Sequence, residues 1–247
     1  MRLLATRLTA IASAVKRLFS PASLFRNSEQ GVWYDPSDFT TLFQDSAGTT
    51  PVTAVEQPVG LVLDKSGNGN HATQATSAKR PLLKVDGNGK YYLLFDGVDD
   101  NLATATFAAP IAQPTSYYIG RTWVVAASTP RHIFDGDATN RQYLTGTTTN
   151  ENLKAGVVLG IPAPTAGVAN VISLRASGAT SYVRKNGVQT SGDAGTLTMG
   201  RLYLGSNYLL NNLGNFRLYS FVLVGATHSA SQIASAESYV NSKTGAY

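Results

Sequence analysis

Short runs of β-forming residues recur along most of this chain, and each run ends at a cluster of Gly, Asn, Asp or Pro. Repeated strands separated by turns are typical of an antiparallel all-β protein. Two turns have residues that suit a tight hairpin, Asn186-Gly187 and Asp86-Gly87. The chain has 247 residues, of which only 14% are charged, so it is long enough for one two-sheet sandwich and poor in helix formers. We therefore predict strands at residues 59–63, 81–85, 91–95, 101–107, 117–126, 132–134, 142–146, 152–159, 168–176, 179–185, 202–204 and 214–224.

A short helix is predicted after the last of these strands. Ser229 or Ser231 can cap its beginning, and Gly245 can end it. Apolar residues recur between them at helical spacing, at Ile233, Ala236 and Val240. Many strands followed by one closing helix indicate two packed sheets rather than alternating βα units.

The positive charge of the chain is confined to its first residues. The whole sequence has 20 basic and 15 acidic residues and a formal net charge of +5. Five of the basic residues precede the first acidic residue, Glu29, namely Arg2, Arg7, Lys16, Arg17 and Arg26. The remaining basic and acidic residues cancel, and a body without net charge does not attract phosphates. We predict no nucleic-acid partner.

An apolar stripe accompanies this charge. Apolar residues recur every three or four positions, at Leu4, Leu8, Ile11, Val15 and Leu18, with Arg7, Lys16 and Arg17 off the stripe. This pattern predicts a basic amphipathic helix that Pro21 ends. We expect residues 1–28 to be an anchor helix and linker, and residues 29–247 to be the sandwich.

Three roles are open for this helix. It could dock on a partner or associate with its own copies, most simply as a trimer, because so short a helix needs a partner. It could lie on a membrane surface. It could also be a secretory signal peptide. It is too short to span a membrane.

Two loops resemble the paired motifs of concanavalin-A-like, laminin-G-like jelly rolls. They are residues 64–72 (DKSGNGNHA) and residues 95–102 (FDGVDDNL). Residues 215–221 (NFRLYSF) and the helix after them resemble the closing strand and terminal helix of that family. The resemblance covers about residues 59–245. It implies an all-β, two-sheet antiparallel jelly-roll sandwich, here with an N-terminal helix and a short C-terminal helix.

A second resemblance concerns the segment that leads into the sandwich. Residues 33–38 (WYDPSD) and 42–52 (LFQDSAGTTPV) resemble a recurrent lead-in of phage and prophage virion proteins. This resemblance implies a tail-fibre-like protein of the phage particle that is anchored to other virion proteins and contacts a host-surface glycan. A capsid decoration or head-fibre protein without sugar binding is one alternative. A secreted lectin or glycan hydrolase is another.

Carboxylates in the two motif loops are candidate calcium ligands. Hard oxygen ligands in a flexible loop suit Ca²⁺, and related sandwiches hold such ions near the rim of a sheet. The candidate ligands are Asp64, Asp96, Asp99 and Asp100. The alternative is that these side chains only satisfy turn amides. No other cofactor is expected.

The sequence shows no closely spaced pair of acidic residues of the kind that glycosidases use. The four glutamates, Glu29, Glu56, Glu151 and Glu237, are isolated, whereas a glycosidase needs two carboxylates at a defined separation. Asp135 and Asp137 are close in sequence, but Gly136 between them favours a turn. From the sequence we therefore predict that the chain is not an enzyme.

Tyrosines and asparagines near two predicted strands are candidate glycan-binding residues. A sugar site needs an aromatic ring for the apolar face of the sugar and amide groups for its hydroxyls. The candidates are Tyr143, Tyr203, Asn207, Tyr208, Asn211 and Asn212. Tyrosine is also common in half-buried strands, so a packing role remains the alternative.

Overall fold

The structure, a computed structural model, describes residues 19–247. Within these residues the strands form two antiparallel sheets that pack face to face, and the single α-helix, α1 (Ala230–Thr244), follows the last strand. The predicted two-sheet sandwich with a C-terminal helix is confirmed. The five residues of the apolar stripe and the basic residues beside it lie outside the described residues.

The first sheet has eight strands. Seven of them follow the order β15-β14-β13-β8-β17-β6-β5, and β1 pairs with β17 beyond the end of β6. The strands are β1 (Gly31–Tyr34), β5 (Leu82–Val85), β6 (Tyr91–Asp96), β8 (Thr115–Val125), β13 (Ala169–Ala176), β14 (Ser181–Lys185), β15 (Val188–Gly192) and β17 (Asn215–Val224).

The second sheet has nine strands, in the order β12-β11-β10-β9-β16-β7-β4-β3-β2. The strands are β2 (Leu42–Phe43), β3 (Leu61–Val62), β4 (Ala72–Thr73), β7 (Leu102–Ala103), β9 (Arg131–Asp135), β10 (Tyr143–Gly146), β11 (Asn150–Lys154), β12 (Val158–Pro162) and β16 (Tyr203–Leu204).

Side chains of β8 pack alternately on the two faces of the first sheet. Tyr117 and Ile119 belong to the core between the sheets, whereas Tyr118 belongs to a second apolar cluster. Successive side chains of a strand point to opposite faces. Tyr118 therefore lies on the outer face of the first sheet, where Val240 of α1 joins the same cluster.

The segment before β1 also covers this outer face. A 3₁₀-helix, Pro21–Phe25, lies within the segment that the sequence predicts as a linker, and its Leu24 and Phe25 are buried. The Phe19 ring lies 6.4 Å from the Tyr239 ring in edge-to-face geometry. The outer face of the first sheet is thus a packed layer. Among residues 19–247, none of the helices has the length and apolar character needed to cross a membrane.

The predicted ends of α1 are confirmed. The Ser229 hydroxyl accepts a hydrogen bond from the Gln232 amide, and the Gln232 side chain accepts one from the Ser229 amide. Such a capping box satisfies two N–H groups that the helix leaves free. Gly245 ends the helix with φ +62°.

The two predicted hairpins differ in outcome. Asn186 and Gly187 have φ of +48° and +81° and join Lys185 to Val188 as a tight turn, as expected. The turn at Asp86-Gly87 is longer, because Val85 pairs with Tyr91 and Gly89 takes the positive φ.

A third hairpin was missed. The strand predicted at residues 152–159 is two strands, β11 and β12, that pair with each other around Gly156, which has φ +113°. A run of small and apolar residues, 155–159 (AGVVL), continues through the turn and hides it in the sequence.

Candidate functional site

The outer face of the second sheet gathers side chains that are far apart in the sequence. Tyr143 pairs with Lys154, and Tyr203 pairs with Asp135. Side chains of directly paired residues lie on the same face of a sheet. Leu144 pairs with Phe134 in the core, so Tyr143 and Asp135 beside them both point to the outer face.

Asp135 is the buried centre of this face. Its carboxylate is fully buried and accepts two hydrogen bonds from the Arg141 guanidinium, at 2.8 Å from Nε and 2.9 Å from Nη2. The amides of Gly136 and Tyr208 also donate to it. Burial raises the pKa of Asp135 above its ordinary value, and the bonds and charge of Arg141 oppose that rise.

Each candidate tyrosine has a cation at its ring. The Arg141 guanidinium lies 4.7 Å from the ring centres of both Tyr143 and Tyr208. The Lys154 ammonium lies 5.9 Å from the ring of Tyr143. Arg201 lies 4.7 Å from the ring of Tyr203. These distances are those of cation–π contacts, which fix the direction of a tyrosine ring.

The three candidate asparagines organise the loop at residues 205–212. The Asn207 side-chain oxygen accepts from the amides of Leu209 and Asn211, and the Asn207 amide group donates to the Asn211 side chain. The Asn212 carbonyl accepts from the backbone amide of His132. The loop therefore lies over β9 and places the backbone amide of Tyr208 at the Asp135 carboxylate.

His132 is a buried member of the same face that sequence reasoning missed. Its ring lies 5.3 Å from the Tyr143 ring, and its Nε2 lies 3.6 Å from an Asp135 oxygen. Burial and then the charge of Arg141 lower the pKa of His132 to about 4. The imidazole is therefore neutral near pH 7.

A cavity of about 240 Å³ opens beside Tyr143. It is lined by Ala138, Arg141, Tyr143, Lys154, Gly156 and Leu197. One aromatic ring, two cations and an apolar wall therefore surround a space just below the range of roughly 300–1,000 Å³ typical of ligand pockets.

The acidic motif loop forms a second cluster of candidate residues. Carboxylate oxygens of Asp96, Asp99 and Asp100 lie within 4.8 Å of one another, so this cluster is compatible with a metal ion such as calcium. Burial and the neighbouring charge of Asp96 raise the pKa of Asp100 to about 7. The carboxylate of Asp96 also accepts three backbone amides of its own turn, including that of Asp100.

Asp64, the fourth candidate calcium ligand, is not part of this cluster. Its carboxylate accepts from the backbone amides of Trp33, Ser66 and Asn70. It ties the motif loop to β1, which is the turn-building role that the sequence leaves open as an alternative.

A signal for Arg141, which sequence reasoning also missed, is present in the sequence. Arg141 stands two positions before Tyr143, and alternation in an extended segment puts both on one side. Asp135 ends β9, two positions before Asp137. Asp137 accepts from the amides of Thr139 and Asn140, as in the turn that the sequence indicates.

Comparison with known proteins gives structural similarity alone. No protein-family model matches the chain, and no curated protein is similar to it in sequence. Among solved structures, an arabinofuranosidase complexed with arabinofuranosyl-alpha-1,2-xylobiose has a TM-score of 0.63 and 13% identity, over 92% of this chain and 65% of the other. Trypanosoma rangeli sialidase in complex with sialic acid has a TM-score of 0.55 and 11% identity, over 85% and 33%.

A third solved structure is that of botulinum neurotoxin type C, whose cell entry depends on interaction with two ganglioside molecules. It has a TM-score of 0.56 and 10% identity, over 90% of this chain and 53% of the toxin chain. The chain thus spans at most about two thirds of the length of these three structures.

These similarities confirm the β-sandwich fold and correct one prediction. The sequence-based prediction that the chain is not an enzyme is contradicted, because glycoside hydrolases share its fold. That prediction rested on the wide separation of the four glutamates in the sequence, and this separation does not exclude enzymatic activity.

Proposed function

We propose that this chain is a carbohydrate-recognition β-sandwich whose sugar site lies on the outer face of the second sheet. The observation that carries the proposal is a cavity lined by Tyr143 and Arg141, with Tyr208, from a distant part of the chain, against the same Arg141. An aromatic ring with hydrogen-bond donors around it is the chemistry that sugar binding requires. The arabinofuranosidase, the sialidase and the toxin each contact sugars, which supports the proposal.

Binding to a panel of neutral and acidic glycans tests this site. We expect Tyr143→Ala to weaken the binding of any recognised glycan by about 2- to 10-fold, because one ring contact contributes roughly 0.5–1.5 kcal/mol. Tyr247→Ala, which removes a tyrosine that is 62% exposed at the C-terminus, is the matched control. Equal binding by both variants would contradict the proposal.

Glycoside cleavage is a second candidate function, and the raised pKa of Asp135 favours it. A carboxyl group with a raised pKa is suited to protonate a leaving glycosidic oxygen. Asp135 could act in this way only in a state in which it is released from Arg141 and reached by the substrate. The second carboxylate that glycosidases need would be Asp137, two residues further on. Chromogenic arabinofuranosides and sialosides test this candidate. Turnover that Asp135→Asn abolishes while binding persists would support it, and turnover equal to wild type would contradict it.

We also propose the finer role that the resemblance implies, in which residues 1–28 anchor the module to a phage particle and the sugar site faces the host. The support is that Phe19 and Leu24 pack on the first sheet, whereas the candidate site lies on the second. Light scattering of the full chain and of a chain lacking residues 1–18 tests the anchor. We expect a trimer for the first and a monomer for the second. Two monomers would contradict self-association.

The capsid-decoration alternative makes a different prediction. A decoration protein would bind the particle shell with no glycan affinity, so failure of the glycan panel together with shell binding would favour it over host attachment.

A further inference from the structure

We infer that the glycan recognised at this face is acidic and carries a carboxylate or sulfate group on the sugar unit that enters the cavity. The inference rests on the proposed function and deepens it. It starts from the cations that accompany the tyrosines of the site.

Cations occupy positions where a neutral sugar would stack. Arg141 lies against the rings of both Tyr143 and Tyr208, and Lys154 approaches the ring of Tyr143 as well. A ring that already faces a guanidinium has less free area for the apolar face of a sugar. The site therefore offers charged donors in addition to aromatic surface.

Two of these donors have no protein acceptor in the part of the chain that the structure describes. Arg141 uses Nε and Nη2 on Asp135, which leaves Nη1 without an acceptor among residues 19–247. The Lys154 ammonium makes neither a hydrogen bond nor an ion pair with any of those residues. Both side chains line the same cavity, so their donors are available to one bound group.

The acidic groups beside the cavity do not neutralise these donors. Asp135 is fully buried, and its charge is matched by Arg141. Asp137 forms no ion pair with Arg141 or Lys154, and one of its oxygens accepts two backbone amides of its own turn. Glu151 belongs to the inner side of the sheet, where it pairs with the buried Arg121.

Arg141 and Lys154 are a local pair of cations and not part of an overall positive charge of the sandwich. The five basic residues that give the chain its net charge precede residue 29, and the rest of the sequence has no net charge. An Arg with a free edge and a nearby Lys suit a carboxylate or sulfate, because charge-assisted hydrogen bonds are about twice as strong as neutral ones. A cavity of about 240 Å³ holds one such sugar unit rather than a longer oligosaccharide.

The test uses polymers that differ only in charge. The full-length protein is titrated with polygalacturonate and its methyl ester, and with dextran sulfate and unmodified dextran, at physiological salt. The first pair tests a carboxylate and the second a sulfate. We expect binding of at least one acidic polymer about tenfold tighter than binding of its neutral partner, or about 1.4 kcal/mol.

Two charge-matched variants decide whether this site is responsible. Lys154→Gln should weaken binding of the acidic polymer by about 3- to 10-fold, as expected for the loss of one charge-assisted hydrogen bond. Lys79→Gln removes the same charge from the 3₁₀-helix Ser77–Lys79 and should leave binding unchanged. Arg141 is left intact because it compensates the buried Asp135.

The possible outcomes separate the inference from the proposed function. Equal binding of acidic and neutral polymers, with loss in Tyr143→Ala, overturns the acidic ligand and keeps a sugar site. Equal weakening by Lys154→Gln and Lys79→Gln also overturns the inference, because the attraction then comes from overall charge. Absence of binding to these polymers and to every member of the glycan panel overturns both.

Discussion

The two sheets have outer faces of opposite character. On the first sheet the outer side chains are apolar and buried, and Tyr118 and Val222 share a cluster with Val240 of α1 and with Leu24. On the second sheet the outer side chains around β9 and β10 are aromatic, cationic and acidic, and Val158 on the edge strand is 52% exposed. Both faces arise from the same alternation of residues along strands.

The difference teaches which face can bind a ligand. The helix α1 and the segment before β1 cover the first sheet, and their apolar side chains replace solvent there. The second sheet carries its own polar cover, built from Arg141, Tyr208 and the loop that holds Tyr208 against Asp135. An outer face covered by charged side chains and a loop keeps hydrogen-bond donors that another molecule can use. An outer face covered by apolar side chains does not.

An acidic substitution on each outer face should show the largest contrast. Val240→Asp buries a charge under α1 without a partner and should lower the free energy of unfolding by more than about 3 kcal/mol. Val158→Asp lies on the exposed face and should change it by less than about 0.5 kcal/mol. Urea denaturation followed by tryptophan fluorescence measures both. Similar losses in the two variants would mean that the second face is also a packed interface.

A pair of glycines sharpens the comparison without adding charge. A methyl group on Gly120 would lie 2.6 Å from Thr244 Cγ2 and 3.0 Å from Val240 Cγ1, so Gly120→Ala should cost about 1–3 kcal/mol. A methyl group on Gly160 would meet only the Asn152 side chain, at 3.4 Å. Gly160→Ala should therefore change stability by less than about 0.5 kcal/mol. If Gly120→Ala melts like wild type, α1 does not lie tightly on the first sheet.

Local chemistry made parts of the fold predictable. The hairpin at Asn186-Gly187 and the cap at Ser229 depend on neighbouring residues alone, and both were found from the sequence. The hairpin at Gly156 was missed because one glycine inside the apolar run at residues 155–159 looks like a residue of a single strand. Positive φ at that glycine is a property of the folded chain, which sets the register of β11 against β12.

The candidate site was only half predictable. Tyr143 and Tyr208 could be named because aromatic residues near turns are typical of sugar sites. Asp135 and His132 could not, because their importance comes from burial and from the loop that leans over them. Asp64 shows that residue type alone can also suggest a role without deciding it. Its carboxylate is of the type that binds calcium, but in the structure it accepts hydrogen bonds from backbone amides.

The smallest predicted effect concerns the buried part of the second face, where His132 should give stability a dependence on pH. The pKa of His132 is lowered to about 4, whereas an unfolded histidine titrates near about 6.5. The unfolded chain therefore binds the proton first as the pH falls. The contribution of neutral His132 is fully present above about pH 6.5 and is lost as the pH falls toward 4.

We expect the free energy of unfolding to fall by about 1–2 kcal/mol between pH 7.5 and pH 5 because of this group. His132→Phe should remove that part of the slope, because neither ring nitrogen has a hydrogen-bond partner among residues 19–247 and the ring packs against Tyr143. His71→Phe, which replaces an exposed histidine of the motif loop, is the matched control. Urea titrations at several pH values measure the slopes. If His132→Phe kept the pH dependence of the wild-type protein, His132 would not be the group responsible for it. The protonated ring would then be tolerated in the folded protein, and this part of the second face would be more hydrated than its packing indicates.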